Sequence, residues 1–328
     1  MKSFEQQPNL EQDPTLELVE KLKLEEQYYD QLKTLSELGV LENFRNLDKK
    51  DSILEMGIVG IDGKEYIIPS YEQILDTLKN NPEQREIMEK KAEQGFTRMF
   101  LIPFAMPISV LLERFKELLL KTHKESGLKS TDGTILELDQ DNPIYIWEDL
   151  IQSDNPQTPE DKQMEYGVKS YDSKTKEERG GKYKSELLEN PNNAWQVVFI
   201  EDMSDIPAEG EGQIKGGRKQ FEANKSSKEY SKLLQQDPQY QNEEGQTLEA
   251  TLILYADNLL RGQTVTDDWQ GNGKINRLVG SYVSGFVPGS CWVRVIHRSV
   301  FGGDDPGNRD SDVGFRSLAR LKIDNIDL

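Results

Sequence analysis

Residues 275–321 read INRLVGSYVSGFVPGSCWVRVIHRSVFGGDDPGNRDSDVGFRSLARL, and they differ in kind from what precedes them. The stretch holds no Lys, Glu, Gln or Met, whereas the preceding residues contain 26 Lys, 34 Glu, 22 Gln and 7 Met, about a third of their positions. Core strands and turns disfavour Lys, Glu and Gln. Yet this stretch is not simply apolar, because Arg, Asp, Ser, Asn and Gly run through it. The missing types share a coding property. Free replacement of both adenines in an Asn codon reaches most amino acids but not Lys, Glu, Gln, Met or Trp, and between Cys291 and Asp312 only Trp292 falls outside the reachable set.

The segment divides into residues suited to hold a backbone and residues free to change. Trp292 can bury a large rigid ring, and Arg294, Arg309 and Arg316 can each make several directional hydrogen bonds to carbonyls or carboxylates. Asp305-Pro306-Gly307 predicts a tight turn, with proline restricting one φ and glycine allowing a positive one. Between these lie Cys291, Val293 and Val295, whose period-two spacing puts them on one face of a strand, opposite Trp292 and Arg294. With Ile296, Val300, Gly302, Gly303, Asn308, Asp310, Ser311 and Asp312 they form the expected display set. An exposed face bearing Val and Ile suits a partner surface, and rigid presentation lowers the ordering cost of binding.

The run from Cys291 to Arg316 resembles the variable region of proteins diversified by retroelements through adenine-directed mutagenesis, which carry a C-type-lectin-like fold. The matching framework is Trp292-x-Arg294, Asp305-Pro306-Gly307-x-Arg309 and Val313-Gly314-Phe315-Arg316. The same ending is similar to formylglycine-generating enzymes and their sulfatase-modifying relatives. Upstream, GQTLEATLILYA (245–256) looks like a helix of that superfamily, and GIDGKEYIIPSYEQIL (60–75) and WQVVFIEDMSDIP (195–207) resemble it more loosely. The resemblance implies a variable ligand-recognition protein, not an enzyme, with a variable region at about 280–318 and no cofactor or metal. Its partner is expected to be a protein or another surface macromolecule. Two other readings stay open: a degenerate oxidase of the formylglycine-generating type, and a structural module of a virion or envelope. The oxidases use paired active-site cysteines, and this chain has one.

Outward from this segment, the 328 residues carry a net charge of −19, so a nucleic-acid backbone is a poor partner. The single Cys291 allows no internal disulfide and no Cys/His zinc spacing. As a nucleophile it would need an imidazole, and the nearby His297 would not lie opposite it on a simple strand. The pairs Asp267-Asp268 and Asp304-Asp305 suit turn and capping roles better than calcium sites. The opening MKSFEQQPNLEQDP is polar and suggests a frayed end without a signal peptide. The longest apolar stretch, 99–112, is broken by Pro103 and Pro107 and is too short to span a bilayer, so a soluble chain with no membrane insertion is expected.

Apolar spacing from Pro14 to Leu38, closed by Gly39, predicts a helix that packs on its own domain, with an oligomerisation arm as the alternative. A hairpin turning at Asp62-Gly63, a helix after Ser70, a buried strand within 96–107 (FTRMFLIPFAMP) and a long amphipathic helix closed by Gly127 follow. Residues 152–193 read as a polar surface excursion, 194–202 as a buried strand, and 247–260 as a helix opened by Thr247. Irregular alternation of strands and helices indicates an α+β chain: a helical extension over 1–50, then a C-type-lectin-like domain of the formylglycine-generating type over 51–322.

Overall fold

A computed structural model of the protein describes residues 14–45 and 54–323. The frayed end expected at the N-terminus and the domain boundary expected at 50/51 fall outside those residues. The architecture is mixed α+β.

The N-terminal helix is two helices, α1 (Pro14–Leu22) and α2 (Leu24–Glu37), broken at Lys23, whose backbone is left-handed at φ 49°. Strand β1 (Glu42–Arg45) pairs with β2 (Leu54–Val59), which forms the expected hairpin with β3 (Glu65–Ile67) through Gly63 at φ 75°. Helix α3 (Tyr71–Asn80) opens with a capping box in which Ser70 and Gln73 exchange hydrogen bonds, and α4 (Pro82–Glu93) follows. Next come β4 (Phe96–Ile102) and α5 (Ile108–Ser126), which ends at Gly127, φ 77°.

Beyond β5 (Ile144–Ile146), the region 152–193 departs from the sequence reading. Met164, Tyr166, Val168 and Leu188 are buried in it. So is Lys184, whose Nζ reaches Asp154 Oδ2 and Glu249 Oε1, both at 2.7 Å, and the carbonyl of Met106 at 3.0 Å. The segment's few buried charges are paired, Lys184 with Asp154 and Glu249 and Arg179 with Glu165, since an unpaired charge there would be costly, while most of its other charged residues remain at the surface.

The remaining elements are β6 (Gln196–Glu201), α6 (Ser227–Gln236), β7 (Glu244–Gly245), α7 (Leu248–Gly262), β8 (Asp268–Trp269), β9 (Ile275–Arg277), β10 (Val287–Val293), β11 (Arg298–Asp304), β12 (Val313–Phe315) and β13 (Ser317–Leu321). Two sheets organise them. One is antiparallel in the order β7-β13-β6-β4. The other runs β12-β9-β10-β11-β5, with β8 also lying parallel to β10. Helix α7, capped by Thr247 and buried along most of its length, packs against α5, α2 and β4, so α2 shares the main core. Buried Asp257 on α7 accepts hydrogen bonds from Gln31 and Thr34 of α2. Thus the N-terminal helices dock on their own chain. Among the described residues no helix is long and apolar enough to cross a membrane.

Candidate recognition surface

Strands β10 and β11 form a hairpin paired from Val287↔Asp304 to Val293↔Arg298. Its turn is a short 3-10 segment, Arg294–Ile296, followed by His297 in the left-handed region at φ 53°. Of the expected scaffold residues, Trp292 is buried in the core, although its indole N–H has no hydrogen-bond partner among the described residues. Arg294 Nε lies 2.9 Å from each oxygen of Asp268, and Nη2 lies 2.6 Å from Oδ2. Arg316 is fully enclosed: it bonds Asp267 Oδ1 through Nε (3.1 Å) and Nη2 (2.8 Å) and donates to the carbonyls of Met203 and Ser204. Gly314 is required by space, since a Cβ there would stand 2.4 Å from Ile206.

Two scaffold expectations are met only in part or need correction. Arg309 has carboxylates for neighbours as expected, Glu209 and Glu229 at 3.7 Å, but it is exposed and its one hydrogen bond among the described residues is to Asn224 Oδ1 at 3.4 Å. The Asp305-Pro306-Gly307 turn does not use a positive φ at Gly307. Instead Asp305 Oδ1 accepts from the Gly307 N–H (2.7 Å) and the Asp305 carbonyl accepts from the Asn308 N–H (3.0 Å), while Pro306 is buried. An Asx turn supplies the constraint assigned to glycine.

The display set is divided. Val295 and Ile296, at the hairpin turn, are 68% and 41% exposed, whereas Cys291 and Val293 are 4% and 6% exposed and are not displayed. The alternation is present, but β10 lies inside the sheet and its neighbours cover it. Val300 pairs with Cys291 on one side, and one place beyond the Asn276↔Ser290 pair stands Ile275 on the other. Trp269 and Arg298 flank Val293. Gly302 faces open space, while at Gly303 a Cβ would lie 2.5 Å from the Trp147 ring, so that position does not accept side chains freely. Val300 is half-buried, and Asn308, Asp310, Ser311 and Asp312 are exposed.

These positions do not make one patch. The seven residues of β11 separate the hairpin turn from the Asp304 end by roughly 20 Å at strand rise. The loop after Asp304 first crosses the start of α6, where the Lys228 N–H bonds the Pro306 carbonyl. It then returns to the level of the turn. There Asp312 meets Lys274 Nζ (3.1 Å) and Trp269 Nε1 (3.4 Å), next to Val293. Lys274 is the main cause that holds the Asp312 carboxyl below its ordinary range. Sequence reading missed Tyr145, exposed and in register with Val300, and Trp269, in register with Val293. No local signal marks either one, because both join the surface through sheet register.

Burial, with lesser contributions from Asp267 and Asp268, pushes the Cys291 thiol up to about 12, so it stays protonated near neutrality and is a poor nucleophile. Asp267 is held by Arg316 and Tyr255, Asp268 by Arg294, and Asp304 by Arg277. Among the described residues no group of three or more His, Cys, Asp or Glu is placed to hold a metal. Comparison of the chain with protein-family models, with curated proteins and with solved structures finds no match in any of the three.

Proposed function

We propose that the chain is a variable ligand-recognition protein, diversified by a retroelement, with a C-type-lectin-like domain of the formylglycine-generating type over 51–322. Its partner is a protein or another surface macromolecule, and the contact is made by the β10–β11 turn and the neighbouring outer sheet face. The observation that carries this reading is the two-sidedness of the hairpin. Trp292 and Phe301 are buried, and Arg294 is clamped to Asp268, while Val295 and Ile296 at the turn, with Tyr145 beside β11, leave large apolar groups in water. Adjacent exposed apolar residues such as Val295 and Ile296 suit a partner. Of the eleven expected display positions, Val295, Ile296, Val300, Gly302, Asn308, Asp310, Ser311 and Asp312 remain available; Cys291, Val293 and Gly303 do not. The oxidase reading gains no support from Cys291, which is buried and holds its proton.

The test is the DNA around the coding region, searched for a reverse transcriptase gene and a near-copy of codons 280–318. Differences between the copies concentrated at adenines, and falling on the codons for the available positions, are the expected result. Absence of the copy, or differences spread over all four bases, overturns diversification.

A further inference from the structure

Strand β5 is the terminal strand of the second sheet, and one side of it is open. It runs parallel to β11 in the register Ser299↔Ile144, Val300↔Tyr145 and Phe301↔Ile146. The Pro143 carbonyl accepts from the Ser299 N–H (3.1 Å), and the Trp147 N–H donates to the Phe301 carbonyl (2.8 Å). Bonding directions alternate along a strand, so Pro143, Tyr145 and Trp147 face β11, and the N–H and C=O of Ile144 and Ile146 point the other way. Among the described residues no hydrogen bond reaches those four groups. Ile144 and Ile146 share the core face with Ser299 and Phe301, which are buried, yet both isoleucines stay partly exposed. Covering them takes one more strand.

Charge selects what that strand can be. Residues 137–149, ELDQDNPIYIWED, hold five carboxylates and no Lys or Arg. Asp139 is held by Arg298, Asp149 lies 3.6 Å from Lys162, and Glu137 lies 3.7 Å from His297. Asp141 and Glu148, exposed on either side of β5, have no ion pair among the described residues. Lysine is a common guard of an exposed edge, and this edge lacks one. A second copy of the chain would set carboxylate against carboxylate, which disfavours pairing of the edge with itself.

We propose that a basic, extended segment of a partner protein adds to β5 as the next strand of the sheet. Its backbone bonds Ile144 and Ile146, its inward side chains cover those two isoleucines, an outward one lies beside Tyr145, and Lys or Arg at its ends meet Asp141 and Glu148. Main-chain pairing does not depend on the display positions, so a fixed edge can hold a strand while the hairpin turn varies. The inference rests on the proposed function only in taking a protein as the partner. Strand β5 lies outside codons 280–318, so the DNA search and the experiment below fail separately.

The test is titration of the full isotope-labelled chain with the blocked peptide Lys-Lys-Val-Thr-Val-Thr-Val-Lys-Lys, followed by NMR. At strand rise the peptide is about 30 Å long, enough to reach from Asp141 to Glu148. Saturable binding should slow amide hydrogen exchange at Ile144 and Ile146 and leave Tyr145, already bonded to β11, unchanged. The double variant Asp141→Asn/Glu148→Gln should bind roughly fivefold more weakly. The same peptide with proline in place of both threonines, equal in charge but unable to pair, should not bind. No protection of either isoleucine amide by about 10 mM peptide, where a 1 mM site would be mostly filled, overturns the proposal. Equal binding of the proline peptide, which would mark attraction by charge alone, overturns it as well, and so does undiminished affinity of the folded double variant, which would remove the basic requirement.

Discussion

The guanidinium of Arg294 clamps the carboxylate of Asp268, tying the hairpin turn to the strand beside it through contacts of 2.6–2.9 Å. Asp268 is fully buried and Arg294 about a quarter exposed, so the pair fixes the base of the surface assigned to recognition. Removing the arginine leaves an enclosed carboxylate without its partner, and Arg294→Ala should cost about 3 kcal/mol, the lower end for breaking a buried pair. Urea unfolding measures this. The double variant Arg294→Ala/Asp268→Ala should recover part of the loss; strictly additive losses would show that the two groups are not coupled.

Substitution tolerance should vary along the hairpin as burial does. Val295→Asp and Ile296→Asp should change stability by no more than about 0.5 kcal/mol each, as at ordinary surface sites. Val293→Asp, which puts a carboxylate at a buried position between its register partners Trp269 and Arg298, should cost several times more. Gly302→Ser should be tolerated and Gly303→Ser should not, because the Trp147 ring occupies the second site. Melting temperatures of the five variants check the ranking, and a destabilised Val295→Asp protein would contradict the exposure of the turn.

Cys291 should make stability fall at alkaline pH. Its folded pKa, pushed up to about 12, lies above the unfolded value of about 8.5, so folding favours the protonated thiol. That contribution is fully present below the unfolded value and is lost as pH rises toward and through the folded one. The stability gap between the native chain and Cys291→Ala should therefore narrow above pH ~8.5, by at most ~1.4 kcal/mol per pH unit. Urea midpoints at pH 7, 9 and 10.5 give the slope, and a constant gap would refute it.

Gln27 protects a sheet edge. Its Nε2 donates to the carbonyls of Leu22 (2.6 Å) and Thr97 (2.8 Å), and its Oε1 accepts from the Met99 N–H (2.8 Å). Strand β4 is the terminal strand of its sheet, so this side chain stands where a further strand would bond. Gln27→Ala should cost about 1–3 kcal/mol for the unpaired backbone groups, and should speed amide hydrogen exchange at Met99 more than at Phe100.

What was legible in the residues was local. Ser70 with Gln73, Thr247 as a cap, Gly63 in its hairpin and Gly127 after a nineteen-residue helix all act within a few positions, and each element stands where its capping and apolar spacing predicted. The alternation of Cys291 and Val293 against Trp292 was legible for the same reason, since strand geometry dictates it. Exposure was not. Whether an outward residue meets water depends on lateral neighbours such as Trp269, Ile275 and Tyr145, which arrive through register with strands up to about 150 residues away. Tertiary contacts also decided the break at Lys23, which places Gln27 on the β4 edge, and the burial of Lys184, whose charge is cancelled by Asp154 and Glu249 from distant segments. By itself the sequence determined the long helix at 108–126, the helix opened by Thr247, the hairpin at Asp62-Gly63 and the alternation along β10; only the assembled sheets determined which of the outward side chains reach solvent, because covering a side chain takes atoms from elsewhere in the chain.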